Sequence, residues 1–177
     1  MRIVGGSARG RTLRAVPGLL TRPTSDRVRQ SLFDLLGQRC DGLWVLDLYA
    51  GTGALSFEAL SRGAATATLV ESAPAAAAVI ERNARELGLP VTLLRRDVTR
   101  ALRELSGAAF DLVFSDPPYA MEAAQATLDA VAGLVAPEGR VVIERGKREA
   151  PPAMPDGFEV AAERRYGDTV VLVARKG

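Results

Sequence analysis

Four acids stand where apolar runs end: Asp47 in "VLDLYAGTG", Glu71 in "ATLVE", Asp97 in "VTLLRRD" and Asp116 in "FDLVFSDPPY". A carboxylate beside buried strand residues is costly unless the strand's end is where donors are held. The last acid has the most unusual neighbours, Pro117, Pro118 and Tyr119. Both prolines fix φ and neither has an N–H, so the Asp116 carboxylate and the Pro117 carbonyl form a stiff pair of acceptors. Such a pair matches an exocyclic NH₂ with two hydrogens to donate, and Tyr119 can stack on the ring that bears it. An aromatic amine is a poor nucleophile because its lone pair is delocalised. Acceptors for both of its hydrogens favour a pyramidal nitrogen and offset the positive charge that builds during attack on an electrophile. The plainer alternative is a proline-stiffened turn with a tyrosine packed nearby.

The glycine-containing turn helps to separate these readings. Asp47, Tyr49, Gly51 and Gly53 lie between a strand and a helix, where missing Cβ atoms let the backbone approach a ligand. Alone, a G-x-G is only a tight turn. Glu71 closes the next strand, where a carboxylate can accept both hydroxyls of a ribose, and Asp97 follows the third. The dinucleotide fingerprint fits poorly, since Ser56 occupies the position three residues after Gly53. An acid ahead of the loop also suits a cationic ligand better than a pyrophosphate. S-adenosylmethionine has an ammonium, a sulfonium, a ribose and an adenine amine. The expected placement puts Asp47 and the Tyr49–Gly53 loop at its methionine end, Glu71 at the ribose, Asp97 at the adenine amine, and Asp116 where cofactor and acceptor meet.

To align those acids, the chain must supply parallel strands. From Trp44 onward, "WVLDLY", "ATLVE", "VTLLR", "FDLVFSD" and "GRVVIE" alternate with predicted helices near 54–62, 74–87, 98–106 and 122–134. Continuously apolar strands with helical crossovers imply an α/β fold with a mostly parallel sheet covered on both faces. "FEVAAERRY" and "TVVLVARKG" follow with no helix between them, so they should pair antiparallel through the "YGD" turn. Ahead of the core, "RIVGGSARGRTLRAV" suits a small flexible hairpin or arm. A helix follows, capped by Thr24 or Ser25, with Val28, Leu32, Leu35 and Leu36 on one face and Arg27, Arg29 and Gln30 opposite.

Composition narrows the chemistry. The 177 residues are 47% apolar, enough for one core, read as a single unit of basic arm and helix (1–39) followed by a catalytic core (40–177). With no histidine and one cysteine, Cys40 in a polar loop, neither a metal site nor a Ser-His-Asp triad is expected. No leader or membrane span is evident, so a cytoplasmic location is expected. Residues 1–39 carry eight arginines against two aspartates, a surplus of six, whereas the rest carries fifteen cations against nineteen anions. A basic arm on an acidic body suits a polyanion, or is simply a solvated surface.

The segments "RIVGGSARGRTLRAV", "RPTSDRVRQSLFDLL", "VLDLYAGTGALSFEALSRGA", "LVE" and "FSDPPY" together resemble the bacterial 16S ribosomal RNA guanine-N2 methyltransferases called RsmD, nearly end to end. That resemblance implies a seven-stranded Rossmann-like class I methyltransferase sheet with an antiparallel last strand and S-adenosylmethionine as methyl donor. It also implies guanine 966 of 16S rRNA as acceptor, in the small subunit or an assembly intermediate, with ribosomal proteins as possible neighbours. Asp47, Gly51, Gly53, Glu71 and Asp97 would surround the cofactor; Asp116, Pro117 and Tyr119 would hold the base. Arg9, Arg11, Arg14, Arg22 and Arg27 would meet RNA, with Thr24 and Asp26 in the same preface. Gln30 stands where the resemblance leads one to expect Glu. The rival readings are adenine-N6 methylation of DNA or another RNA, glutamine methylation of a protein, for which asparagine would be expected at 116, and a non-catalytic RNA-binding assembly factor.

Overall fold

A computed structural model describes residues 1–18, 25–117 and 121–177, except for the side chains of 121–124 and 127. Its elements are α1 (Asp26–Leu35), β1 (Trp44–Leu48), α2 (Ala54–Ser61), β2 (Thr66–Val70), α3 (Pro74–Leu87), β3 (Thr92–Leu94), α4 (Val98–Glu104), β4 (Phe110–Ser115), α5 (Met121–Ala132), β5 (Val135–Gly146), β6 (Phe158–Tyr166) and β7 (Thr169–Lys176). Seven strands form one sheet in the order β3-β2-β1-β4-β5-β7-β6. The first five pair in parallel, and β7 runs antiparallel to both β5 and β6.

The period of two along each strand divides the core. Val45, Leu69, Leu112, Phe114 and Val142 face one side, with Phe57 of α2 and Ile80 of α3. Leu46, Leu48, Val70, Val113, Val141 and Ile143 face the other, with Ala101 of α4 and Val131 of α5. Both faces are covered, which is why these strands bury apolar residues on both sides rather than alternating apolar with exposed polar ones. Local signals set the helix ends. Ser25, rather than Thr24, caps α1, its Oγ accepting from the Val28 N–H at 3.2 Å. Pro74 opens α3, and Gly88 closes it in the left-handed region.

The arm differs from the flexible hairpin expected of it. Arg2 bridges Thr12, and Ile3, Ala8 and Leu13 are buried in the same cluster as Phe33 and Phe57. Burying an isoleucine or leucine side chain such as Ile3 or Leu13 stabilises by about 1.5–3 kcal/mol. The arm is then fastened by a charge. Glu58, fully buried in α2, accepts from the Val4 N–H at 3.0 Å and the Gly5 N–H at 2.7 Å. It also pairs with Arg62 at 3.0 Å and Arg29 at 3.8 Å.

Helical phase alone places Arg29 outside with Arg27 and Gln30; instead it is fully buried, paired with Asp26 at 2.8 Å and donating to the Arg2 carbonyl. Its burial is tolerable because Glu58 and the arm's backbone supply compensating acceptors. The Arg62 guanidinium stacks on Phe33 at 4.7 Å and donates to the Gln38 carbonyl. Cys40, expected in a polar loop, is buried among apolar residues, and desolvation pushes its thiol up to about 11. It fills space and is no nucleophile.

Candidate active site

Strand register builds the site. Leu48 pairs with both Val70 and Ser115, Val70 with Leu94, and Ser115 with Ile143. The next residue along each strand therefore lies on one rim: Tyr49, Glu71, Arg95, Asp116 and Glu144. This is the carboxyl-terminal edge of the parallel strands, where open α/β sheets hold ligands.

On that rim the chain leaves β1 with Tyr49 at φ 60°, then turns through Gly51 and Gly53 into α2. A Cβ on Gly53 would lie 2.7 Å from the Phe57 ring, so only glycine lets α2 sit this close to the loop. A Cβ on Gly51 would meet nothing within 4 Å; that side of the loop is open space. Glu71 fixes the loop's height: its Oε2 accepts from the Gly51 N–H at 2.8 Å and its Oε1 from the Ala73 N–H at 2.8 Å. Each oxygen retains a lone pair for a ribose hydroxyl. An open cradle above Gly51 with a carboxylate beside it fits the methionine and ribose portions of S-adenosylmethionine.

Asp47 lies beneath the loop, buried, with its Oδ2 accepting from Ser56 Oγ at 2.7 Å. Burial is the main cause that pushes its carboxyl up to about 7. The Ser56 hydrogen bonds oppose that rise, and the charges of Asp116 and Glu71 add to it. Asp47 thus feels the charges of both neighbouring carboxylates across the turn. Asp116 is itself pushed up to about 6 by desolvation against the crevice walls. It remains accessible at the open mouth, so it titrates there rather than being locked neutral.

Asp97 sits one turn further along the edge and caps α4, its Oδ1 accepting from the Arg100 N–H at 3.0 Å. Tyr49 lines a groove with Val98 and Thr99 that runs between α4 and α5. Pro117 follows Asp116 into a second cleft, of about 410 Å³, bounded by Glu144 and by the Arg145–Glu149 turn. Pro118, Tyr119, Arg22 and Thr24 lie outside the described residues.

The arm's arginines divide into two sets. Arg11 donates to the Leu87 carbonyl at 2.6 Å and to the Glu86 carbonyl, and Arg14 pairs with Glu86 at 3.0 Å. These two, though exposed, hold the arm against the end of α3; Arg9 and Arg27 are exposed as well. Buried Asn83, which sequence reasoning missed, couples arm to loop. Its amide donates to the Thr52 carbonyl at 3.1 Å and its oxygen accepts from the Arg14 N–H at 2.8 Å. The signal available was a lone polar residue in phase with Ile80 and Leu87; for Glu58 it was one acid inside the apolar run "ALSFEALS". Gln30 donates to Asp34 at 2.9 Å.

The family described as "Conserved hypothetical protein 95" matches residues 1–175. A provisionally named rRNA methyltransferase, YlbH, of Bacillus subtilis (strain 168) is 34% identical over 99% of each chain. "Ribosomal RNA small subunit methyltransferase D" of Escherichia coli (strain K12) is 33% identical over 94% of this chain and 85% of its own. A solved Escherichia coli structure, the provisionally named methyltransferase yhhF, superimposes with a TM-score of 0.90 at 32% identity, over 99% of this chain and 97% of its own.

Proposed function

This chain belongs to the conserved hypothetical protein 95 family, and on that premise we propose that it methylates the exocyclic N2 amine of a guanine, guanine 966, in 16S rRNA. The RNA would be presented by the small subunit or an assembly intermediate in the cytoplasm. The class I sheet and S-adenosylmethionine as cofactor are common ground with the methyltransferases it resembles. Bound in the cradle, that cofactor supplies an electrophilic methyl group.

The protein's own work is positioning. Glu71 and the Gly51 turn fix the cofactor's place, and Asp116 stands on the same rim with the Pro117 carbonyl beside it. Those two acceptors take the amine's hydrogens, turn its lone pair out of the ring's conjugation, and offset the charge that develops on nitrogen. The Asp116 carboxylate, its pKa raised to about 6 by desolvation, can then receive the proton the amine sheds. Tyr119 stacks on the base in this reading. Because the base must leave its stack to reach the rim, a loop nucleotide is favoured over a paired one.

The observation that carries the proposal is the register that sets Asp116 beside Leu48's successor, with only β1 between it and Glu71. Incubating the protein and labelled cofactor with small subunits, free 16S RNA and DNA, then digesting to nucleosides, tests it. Label in N2-methylguanine is the expected result. Label in N6-methyladenine would overturn the substrate, and no label in any nucleic acid would favour a non-catalytic assembly factor.

A further inference from the structure

Beyond Asp116, on the side away from the glycine loop, the rim continues into the 410 Å³ cleft lined by Asp116, Pro117, Glu144, Lys147, Arg148 and Asp168. Its volume lies in the range of small-ligand sites. Ser115 pairs with Ile143, so Asp116 and Glu144 follow side by side on adjacent parallel strands. Glu144 is held rigidly, because β5 is paired on its other side as well, with Glu144 opposite Val171 and the ladder continuing to Gly146 and Thr169. Arg145 braces the turn that follows. Its guanidinium donates to the Glu149 carbonyl at 2.6 Å and pairs with Glu163 at 3.3 Å. The Lys147 N–H donates to the Asp168 carbonyl at 2.9 Å. The result is a prebuilt pocket with an acidic wall of Asp116 and Glu144 and an exposed lip that carries Arg148 and Lys147, the latter paired with Asp168.

That polarity sorts nucleobases. Guanine presents two adjacent donors, N1–H and the N2 amine, whereas adenine presents a donor, its amine, beside a lone pair at N1. A carboxylate next to Asp116 offers only acceptors. It therefore completes a donor–donor edge and opposes a donor–acceptor one, leaving a desolvated lone pair facing a carboxylate. Exposed Arg148 on that lip lies where the phosphate of the same nucleotide can approach.

We propose that Glu144 is the specificity-determining residue of the acceptor pocket, accepting the guanine N1–H while Asp116 and the Pro117 carbonyl hold the N2 amine. This rests on the guanine-N2 reading. It explains how an amine grip that is indifferent to the base becomes selective for one.

The discriminating probe is 2-aminopurine, which keeps the 2-amine but has a lone pair at N1. Small subunits are reconstituted with 16S RNA ligated to carry guanine or 2-aminopurine at the acceptor position, and initial methylation rates are compared for wild type and Glu144→Gln. Wild type should prefer guanine by at least about tenfold. In the variant, whose side-chain amide can turn either its oxygen or its NH₂ toward N1, the preference should shrink to within about threefold. Cofactor affinity and melting temperature should stay at wild-type values. The ratio between the two proteins cancels any effect of 2-aminopurine on the RNA itself. A wild-type preference near one, or an unchanged preference in Glu144→Gln, overturns this inference while the guanine-N2 reading stands. A wild type that labels no guanine overturns both.

Discussion

Replacing Asp47 by asparagine should move stability and cofactor binding in opposite directions. The native carboxyl titrates near 7, against an ordinary value near 3.8, chiefly because it is buried. A raised carboxyl pKa means that the folded protein binds more protons than the unfolded chain between about pH 4 and pH 7. Unfolding free energy therefore falls as pH rises through that window, and the full penalty is present above it. Three pKa steps correspond to about 4 kcal/mol, an order-of-magnitude figure. Asparagine stays neutral and can keep the bond from Ser56 Oγ through its carbonyl oxygen. Without cofactor, Asp47→Asn should be more stable than wild type at pH 8 by up to that amount, or roughly 10 °C in melting temperature, and indistinguishable from it near pH 4. At pH 8 the same variant should bind S-adenosylmethionine more weakly, having lost a negative charge near the ligand's ammonium. Urea titrations at pH 4, 6 and 8, with calorimetric cofactor binding at pH 8, measure both quantities. Parallel stability profiles for the two proteins would refute the assignment of a buried, titrating carboxyl.

Three further consequences concern the arm and α1. Glu58→Gln leaves Arg29 and Arg62 buried without their shared counter-charge. It should cost about 3 kcal/mol or more in urea denaturation and free the backbone N–H groups of Val4 and Gly5 to exchange with solvent. Arg11→Ala should lower stability by about 1–2 kcal/mol, since it strips acceptors from their donor at the end of α3. Arg9→Ala combined with Arg27→Ala should instead leave melting unchanged and lower the slope of RNA affinity against salt by about two. A stability loss from the second pair, or none from the first, would reverse their assigned roles.

The sheet was legible because its central strands carry near-continuous apolar runs, a pattern that arises where both faces are covered. Pro74, Gly88 and Ser25 marked helix ends through local backbone chemistry. The rim was legible in part, since register in a parallel sheet follows from where each apolar run stops: Glu71 and Asp116 stop two of them, whereas Asp47 lies inside β1, one residue short of its end. What escaped was set by partners distant in sequence. Arg29 is buried because Glu58 and the carbonyl of Arg2 await it, and no period in α1 reveals that. The arm reads as loose because Gly5 and Gly6 break its pattern. Yet Gly6, at φ 74°, passes so close to α2 that a Cβ would lie 1.9 Å from the Ser61 carbonyl oxygen. These glycines permit docking rather than motion. Asp97, expected at the adenine amine, also has a local duty, since its Oδ1 caps α4. β5 begins at Val135, earlier than the apolar run suggests, because an irregularity between Phe110 and Leu112 absorbs the extra residues.

The account's central claim is that Asp116 acts on the acceptor amine and not merely on the architecture of the crevice. Single-turnover methyl transfer by Asp116→Ala at saturating cofactor, set beside its cofactor affinity and melting temperature, tests that most directly. The predicted result is a rate about a hundredfold or more below wild type, with affinity within about threefold and an unchanged fold. A transfer rate near wild type, or a loss that vanishes once cofactor binding is restored, would contradict it.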